Sequence, residues 1–183
     1  VKQHLRYGGK VLGICGGFQM LGMKISDPDA IESSTLQTEG LKLADFTTTL
    51  TDDKSLTQVS GQLNTTSLLT SDQPCFINGY EIHCGISEGA ALDNPFVTCE
   101  HHPNNIAEDG FISDDNQIVG TYLHGLFDHE EATLAIMQWV SGEQLIDEAI
   151  NLSTHREQQL NRFADICRAH LDMKKIKQIY QAF

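Results

Sequence analysis

The chain has 183 residues, of which 40% are hydrophobic, 7% aromatic and 20% charged. This length is that of one ordinary domain, and the composition is globular, which excludes a disordered chain, a collagen-like fibre and a disulfide-rich scaffold. The 25 acidic residues outnumber the 12 basic ones, so the net charge is −13 and no basic stripe is available for phosphates. We therefore expect no nucleic-acid partner.

The cysteines and the hydropathy pattern indicate the compartment. No apolar run reaches the ~18 residues that a membrane span needs, and the first ten residues show no secretory h-region. The five cysteines are odd in number and show no C-x-x-C spacing, which favours a reducing compartment over a disulfide framework. We expect a cytoplasmic chain with no membrane partner.

The first elements along the chain are a predicted strand and a predicted helix. The run V-L-G-I-C at 11–15 is short, apolar and bounded by glycines, which is typical of a buried parallel strand. Two glycines then lead into a predicted helix at 18–21. Residues 23–40 are polar and include Pro28, so they predict a long loop.

The middle of the chain predicts several strands. Segments 41–51, 55–63 and 75–84 are rich in Thr, Val, Ile and Phe, and 110–113 with 117–123 predicts a hairpin. The C-E-H-H segment at 99–102 resembles a set of metal ligands. It has no second pair at zinc spacing and precedes a proline, so we interpret it as a loop and expect no metal site.

The last third predicts helices. Asp128 with Glu131 has the form of an N-terminal cap ahead of an apolar run at 134–140, and Thr154 with Glu157 repeats that signal. Apolar residues then recur at helical spacing and are interpreted as core, namely Leu160, Phe163, Ala164, Cys167 and Leu171. Since no repeat or linker divides the chain, we expect one mixed α/β domain over residues 1–183.

The G-I-C-G-G motif at 13–17 has the G-x-C-x-G form of a nucleophile elbow, with sulfur in place of the hydroxyl. Glycines two residues either side of Cys15 remove side chains that would collide in a sharp turn, and the following helix N-terminus favours a thiolate. A structural cysteine and a phosphate-cradling loop are the alternatives. No Lys-Ser or Lys-Thr follows the glycines, which disfavours the phosphate loop. The sequence leaves open whether Cys15 is a nucleophile or a structural cysteine.

A nucleophilic thiol needs a proton acceptor, and His124 follows a predicted strand. Because strand-to-helix loops gather at the carboxyl edge of a parallel sheet, we expect Cys15 and His124 to meet there. Glu81 and His83 lie two residues apart on another predicted strand and so share one face. They either line the site or satisfy each other.

Three ordered blocks carry a resemblance to a known family: V-L-G-I-C-G-G-F-Q-M-L-G at 11–22, G-Y-E-I-H at 79–83 and G-T-Y-L-H-G-L-F-D at 120–128. The tail at 156–173 matches as well. Over almost its whole length the chain resembles the glutamine amidotransferase domain of the cobyric acid synthase family. The resemblance implies a class I glutamine amidotransferase-like, flavodoxin-like fold in which helices flank a mixed sheet.

The same resemblance implies roles for individual residues. Cys15 becomes the nucleophile and His124 its base, and the backbone N–H of Gly16 is expected to face the oxyanion. Gln19 resembles the residue that holds the substrate glutamine in related enzymes. The alternative for Gln19 is an exposed polar residue on the helix.

One departure concerns the acid that completes a Cys-His-Glu triad in most class I members. That acid stands two residues after the histidine, where this chain has Leu126, and the family that it resembles shares the gap. What orients His124 is therefore open, with Glu81, Asp128 or another domain as the alternatives.

The resemblance also implies partners. The complete enzyme uses ATP and glutamine to amidate four carboxylates of adenosylcobyrinic acid a,c-diamide in cobalamin biosynthesis. We expect this domain to bind glutamine and no cofactor, with ATP and Mg on an N-terminal synthetase domain of the same polypeptide. A chain at −13 is a poor place for a polycarboxylate, so the corrinoid acceptor is expected to bind elsewhere.

The chain begins close to the elbow, so we expect two features to be missing: the preceding strands and the loop that normally gives a second oxyanion donor. Loss of one such donor costs roughly 10²–10³ in rate, which predicts a weak or silent glutaminase from this chain alone. Two rival functions are kept: the glutaminase subunit of an enzyme that amidates a peptidoglycan precursor, and a non-catalytic interaction domain of the same fold.

Overall fold

A computed structural model of the protein describes residues 1–69, 74–101, 108–143 and 152–180. The strands in these ranges are β1 Val11–Ile14, β2 Lys24–Ser26, β3 Gln37–Glu39, β4 Thr47–Leu63, β5 Cys75–Glu88, β6 Val97–His101, β7 Glu108–Asp109, β8 Phe111–Ile112, β9 Ile118–Thr121 and β10 Leu123–His124. The α-helices are α1 Lys2–Arg6, α2 Gly16–Leu21, α3 Thr65–Leu69, α4 Glu130–Ser141, α5 Leu152–His170 and α6 Met173–Tyr180. Short 3₁₀ turns cover Ala90–Asp93 and Leu126–Asp128.

The smaller sheet has the order β1-β9-β8. Strands β1 and β9 are parallel, with Ile14 opposite Thr121, and β8 pairs with β9 in the antiparallel sense. The predicted strand at 11–15 and the predicted hairpin around 114–116 are both confirmed. Both were readable because short apolar runs bounded by turn residues are strong local signals.

The larger sheet has the order β10-β5-β4-β2-β3, with β6 on β4 and β7 on β6. Its centre is the long antiparallel pair of β4 and β5, whose register shifts between Thr49 and Lys54. Residues 47–51 of the first predicted strand and all of the predicted strand at 55–63 belong to one strand, β4, while residues 41–46 precede it. The mixed α/β class is confirmed, but the expected single mixed sheet is divided into two mixed sheets, because the β4–β5 hairpin builds its own.

The chain crosses from one sheet to the other between β9 and β10. Strand β9 ends at Thr121 beside β1, and β10 begins at Leu123 opposite Glu81 of β5. Only Tyr122 separates the two strands. This short crossing joins the end of β9 to the edge of the larger sheet, beside the middle of β5.

The core has two parts. One lies between the large sheet and α4 and includes Phe96, Leu126 and Trp139. The other is an aromatic cluster in which Phe18 of α2 lies 4.9 Å from Phe46 and 4.7 Å from the Tyr122 ring, measured between ring centroids. This aromatic cluster fixes α2 against the start of the crossing.

Two predicted loops contain strands. Strands β2 and β3 lie within the segment 23–40, where Asp27 closes the intervening turn by accepting backbone N–H groups. The segment 99–102 lies largely in β6, and its last residue, His102, is outside the described residues.

Within the described ranges no group of three His, Cys, Asp or Glu side chains is arranged to hold a metal ion.

The predicted helix caps are wrong. Helix α4 begins at Glu130 with His129 as its N-cap and no side-chain cap bond, while Asp128 belongs to the preceding 3₁₀ turn. Helix α5 begins at Leu152, so Thr154 lies inside it. A cap signal identifies residues that favour a helix start, but tertiary contacts decide the residue at which the helix begins.

The apolar stripe at 160–171, predicted to be core, is largely exposed. In α5 Leu160 is 60% exposed and Phe163 65%, and Leu171, directly after the helix, is 51% exposed, while Ala164 and Cys167 are half-buried. An ion pair of 2.6 Å between Arg156 and Asp128 ties the helix to the 3₁₀ turn. Helical spacing identifies an apolar face correctly, yet it carries no information on what covers that face.

No helix in the described ranges has the length and apolar character to cross a membrane.

The exposure of α5 predicts a difference between two phenylalanine truncations. Phe96 is 0% exposed and Phe163 is 65% exposed. We expect Phe96→Ala to lower the free energy of unfolding by about 3–5 kcal/mol and Phe163→Ala to lower it by less than ~0.5 kcal/mol, as measured by urea denaturation. A similar loss in both variants would mean that the α5 face is covered in solution.

Candidate active site

Cys15 occupies the sharp turn between β1 and α2. Its φ is 54° and its ψ −118°, an unusual backbone conformation for a residue with a side chain, of the kind that costs about 1–3 kcal/mol. Its N–H donates to the Thr121 carbonyl at 2.9 Å, and its own carbonyl accepts the Gln19 N–H. The turn predicted from the G-x-C-x-G spacing is therefore present and is held from both sides.

The two glycines of the motif are not equivalent. A Cβ at Gly13 would lie 2.6 Å from Leu21 Cδ1 and 2.8 Å from the Gly17 carbonyl oxygen, so this position requires glycine. A Cβ at Gly17 would meet nothing within 4 Å. The prediction that crowding requires both glycines is correct for Gly13 and wrong for Gly17.

The elbow is attached to the edge of β5. The half-buried Cys15 thiol donates to the Ile82 carbonyl at 3.2 Å, and the Gln19 amide nitrogen donates to the Cys84 carbonyl at 3.1 Å. Strand β10 pairs with β5 only at Tyr80 and Glu81. Cys15 and Gln19 therefore contact the part of the β5 edge that lies beyond Leu123, the first residue of β10.

Gln19 is buried, so the alternative of an exposed helix residue is wrong. Besides Cys84, its amide nitrogen donates to the Tyr122 hydroxyl at 3.2 Å. Both amide hydrogens are thus used within the protein, which makes Gln19 a brace between α2, β5 and the crossing.

His124 ends β10, and its backbone lies opposite Tyr80 of β5. The two rings are stacked with centroids 5.2 Å apart and planes inclined by 6°. Cys15 contacts β5 at Ile82, two residues from Tyr80 and so about 7 Å further along the strand. The Nε2 atom of His124 is buried and has no hydrogen-bond partner in the described part of the chain.

Glu81 and His83 share a face, as predicted from their spacing. His83 Nε2 lies 3.4 Å from the Glu81 carboxylate, and its Nδ1 lies 3.2 Å from the Gly85 carbonyl. The His83 ring also stacks on Tyr122, with centroids 3.7 Å apart. The pair lines a cavity of about 280 Å³ on that face of β5.

The acid that would orient His124 is absent from the expected places. Leu126 is fully buried in the core, where an ionised carboxylate would be costly. Asp128 pairs with Arg156. The pleat of β5 puts Glu81 on the face opposite Tyr80, and hence opposite the His124 ring that stacks on Tyr80. Among the described residues no carboxylate hydrogen-bonds to His124.

Tyr122 is a site residue that the sequence analysis missed. Its hydroxyl is 2.7 Å from Ser87 Oγ, which is in turn 2.8 Å from Thr48 Oγ1, and it accepts from Gln19. Burial raises the pKa of the Tyr122 phenol, so it stays neutral and can act as donor and acceptor. Its place two residues before His124 is the signal in the sequence that would have identified it.

Asp109 is a second missed residue, and nothing in the E-D-G segment at 108–110 marks it. It is 7% exposed; one carboxylate oxygen accepts the Thr121 hydroxyl, and the other accepts the Tyr122 N–H at 3.1 Å. Thr121 Oγ1 accepts the Leu123 N–H at 3.0 Å. Burial raises the pKa of Asp109 to about 6, against the Thr121 bond, which lowers it, and with the charge of Glu81, which raises it.

Comparison with known proteins decides the family. The family model of the CobB/CobQ-like glutamine amidotransferase domain matches residues 1–132. The chain belongs to this family. It is also 41% identical over 192 aligned residues to the cobyric acid synthase of Shewanella oneidensis, an alignment that covers 100% of this chain and 36% of that relative. The resemblance stated from the sequence blocks is confirmed, and the chain spans about a third of the relative's length.

The elbow glycines predict opposite effects of one methyl group. We expect Gly13→Ala to destabilise the protein by about 1–3 kcal/mol through collision with Leu21 and the Gly17 carbonyl. Gly17→Ala adds a methyl in open space within α2 and is expected to stabilise by about 0.5–1 kcal/mol. Thermal and urea unfolding of both variants measure this, and equal effects would contradict the asymmetry.

The raised pKa of the buried Asp109 carboxyl predicts that the stability of the protein depends on pH. Its pKa is 3.8 as a free side chain and about 6 in the fold, so between these values the folded protein holds a proton that the unfolded chain releases. As pH rises through this window, the contribution of Asp109 to the free energy of unfolding falls, by up to about 3 kcal/mol. The stability of the wild type minus that of Asp109→Asn should therefore decrease from pH 4 to pH 7; a constant difference would contradict the raised pKa.

Proposed function

We propose that this chain hydrolyses glutamine, with Cys15 as nucleophile and His124 as its base. The observation that carries the proposal is the elbow at Cys15, whose φ of 54° and ψ of −118° lie outside the regions that residues with side chains normally occupy, so that the surrounding structure has to impose them. The Cys15 thiol contacts β5 at Ile82, and His124 pairs with β5 at Tyr80, two residues away. This placement supports the pairing of Cys15 with His124.

The reaction has two stages. His124 takes the thiol proton of Cys15 as the sulfur bonds to the side-chain carbonyl carbon of glutamine, and it gives that proton to the amide nitrogen, which leaves as ammonia when the carbon–nitrogen bond breaks. Water then attacks the thioester while His124 takes one of its protons. The carbon–sulfur bond breaks, His124 returns the proton to the sulfur, and glutamate leaves with the thiol restored. The otherwise unpaired Nε2 of His124 is the atom assigned to these proton transfers.

Two further residues are assigned to the substrate. Gly16 is the first residue of α2, so its N–H has no partner within the helix, and we assign it to the oxyanion. Gly16 is exposed, which leaves this N–H open to a substrate. Gln19 uses both amide hydrogens inside the protein, so any contact with substrate glutamine is assigned to its side-chain oxygen.

The physiological role that we propose is that of the glutaminase in a cytoplasmic cobyric acid synthase. The ammonia would serve ATP-dependent amidation of four carboxylates of adenosylcobyrinic acid a,c-diamide. The relative with that name is nearly three times as long as this chain, and we place ATP, Mg²⁺ and the corrinoid on the remainder, as an N-terminal synthetase domain. Strands from that direction would complete a flavodoxin-like sheet. The net charge of −13 supports an acceptor site outside this chain.

The experiment for this function is affinity labelling with an electrophilic diazoketone analogue of glutamine, followed by peptide mass spectrometry. We expect selective labelling of Cys15, its abolition by Cys15→Ser, and a slowing of roughly 10²-fold or more by His124→Asn. Cys167, a half-buried free thiol in α5, is the internal control. Labelling of Cys15 no faster than Cys167, together with no release of glutamate, would favour a non-catalytic interaction domain.

A further inference from the structure

The proposed nucleophile and base are connected through one short piece of backbone. The Cys15 N–H donates to the Thr121 carbonyl at 2.9 Å, and His124 is the third residue after Thr121. Across Thr121–Leu123 the chain leaves β1 and joins β5. A small rotation of this segment would therefore change the position of the His124 ring relative to the Cys15 thiol.

A single buried carboxylate holds that segment. One oxygen of Asp109 accepts the Thr121 hydroxyl and the other accepts the Tyr122 N–H, while Thr121 Oγ1 accepts the N–H of Leu123. Three consecutive residues before His124 are thus fixed by Asp109, directly or through one hydroxyl.

The backbone that carries Asp109 is itself in close contact with β9. Gly110 has a φ of 72°, and a Cβ there would lie 2.0 Å from the Gly120 carbonyl oxygen. Since the two chain segments touch at this point, the Asp109 side chain has a short, defined reach to Thr121. The contact is set by packing and does not depend on a flexible loop.

We propose that Asp109 is the positioning residue of this site: its carboxylate holds the backbone of Thr121–Leu123 so that His124 faces Cys15. This inference rests on the proposed glutaminase function and deepens it. Leu126 occupies the place where most class I amidotransferases have an acid that meets the imidazole. Here the acid acts on the backbone that precedes the histidine.

The ionised form of Asp109 is the form that fits its partners. The Thr121 hydroxyl and the Tyr122 N–H both donate, and each needs an acceptor oxygen. Protonation of the carboxyl reverses the bond to Thr121, so that the carboxyl donates to Thr121 Oγ1 and the hydroxyl hydrogen of Thr121 loses its acceptor. The bond from the Tyr122 N–H remains but no longer ends on a charged oxygen, and hydrogen bonds to charged groups are the stronger ones. Positioning should therefore weaken as the pH falls through the pKa of Asp109, about 6.

Several charged and titratable groups surround Asp109. Among the described residues these are Glu81 and His83 of β5, Cys99 of β6, Glu108 of β7 and Tyr122 of the crossing. The pKa of Cys99 is raised to about 12 by burial and nearby acids, and that of Tyr122 is raised by burial, so both keep their protons at neutral pH.

The test uses the complete protein that contains this sequence and measures glutamate release from pH 5 to pH 9. We expect Asp109→Asn to lower kcat by about 10–100-fold with little change in KM for glutamine, because misplacement by about 1 Å has costs of this size. Because protonation of Asp109 adds to the fall of wild-type activity below about pH 6, that fall should be smaller in this variant. Labelling of Cys15 by the diazoketone should slow by a similar factor.

Asp27→Asn is the matched control. Asp27 is another buried aspartate that accepts backbone N–H groups, from Ile31, Glu32 and Ser33 of its own turn. Its loss is expected to lower stability while kcat and the pH profile stay as in the wild type. The comparison separates loss of a buried carboxylate from loss of this particular one.

Thr121 provides a second test if Asp109→Asn does not fold. Thr121→Val removes the hydroxyl at constant shape and should lower kcat, whereas Thr121→Ser keeps the hydroxyl and should retain most of the wild-type rate. The proposal is overturned if Asp109→Asn retains the wild-type kcat and acid limb. It is also overturned if Thr121→Ser is no more active than Thr121→Val, or if activity falls only with the folded fraction.

Failure of the proposed function gives a different result. If the wild-type protein releases no glutamate and its Cys15 is not labelled, the nucleophile assignment fails and the role of Asp109 fails with it. If the wild type is active and labelled while the Asp109 and Thr121 variants behave like the Asp27 control, only the positioning role is overturned.

Discussion

The crossing of the chain between its two sheets is the constraint on which the candidate site depends. Thr121 is paired with β1 and Leu123 with β5, so the backbone passes from one sheet to the other within a single residue, Tyr122. Such a crossing interrupts both ladders of hydrogen bonds, and the N–H groups within it need acceptors. Asp109 and the Thr121 hydroxyl supply them, and the elbow at Cys15 is bonded to the same segment.

The polar interior around this crossing is nearly satisfied. Tyr122 joins Gln19 and Ser87 through its hydroxyl, and His83 joins Glu81. Buried polar groups in folded proteins are almost always paired, because an unpaired group loses its hydration without compensation. Among the described residues of this region the exception is Nε2 of His124, which is the atom that the proposed chemistry requires.

Apolar runs bounded by turn residues were interpreted correctly, whereas local cap signals and patterns whose outcome depends on distant neighbours were not. The strand before the elbow and the hairpin around 114–116 follow from apolar runs and turn residues within a dozen positions. The α5 stripe was assigned to the core on periodicity, yet Phe163 is exposed, because the pattern specifies a face and not its cover. Strands β2, β3 and β6 lie in segments that are polar or bounded by proline, and pairing within the large sheet decides their conformation.

The sequence by itself determined the elbow, the family and the two residues proposed for the chemistry. A tight turn around one cysteine needs glycine only where a neighbour crowds it, as at Gly13, and that requirement is local. Only the tertiary structure decided that Gln19 is buried, that Tyr122 bonds to it across 103 positions of the chain, and that Asp109 grips the residues before His124. These contacts join a helix, the crossing and strands of both sheets, and the free energy that selects them comes from burial and hydrogen bonding in the folded protein. No spacing along the chain encodes them.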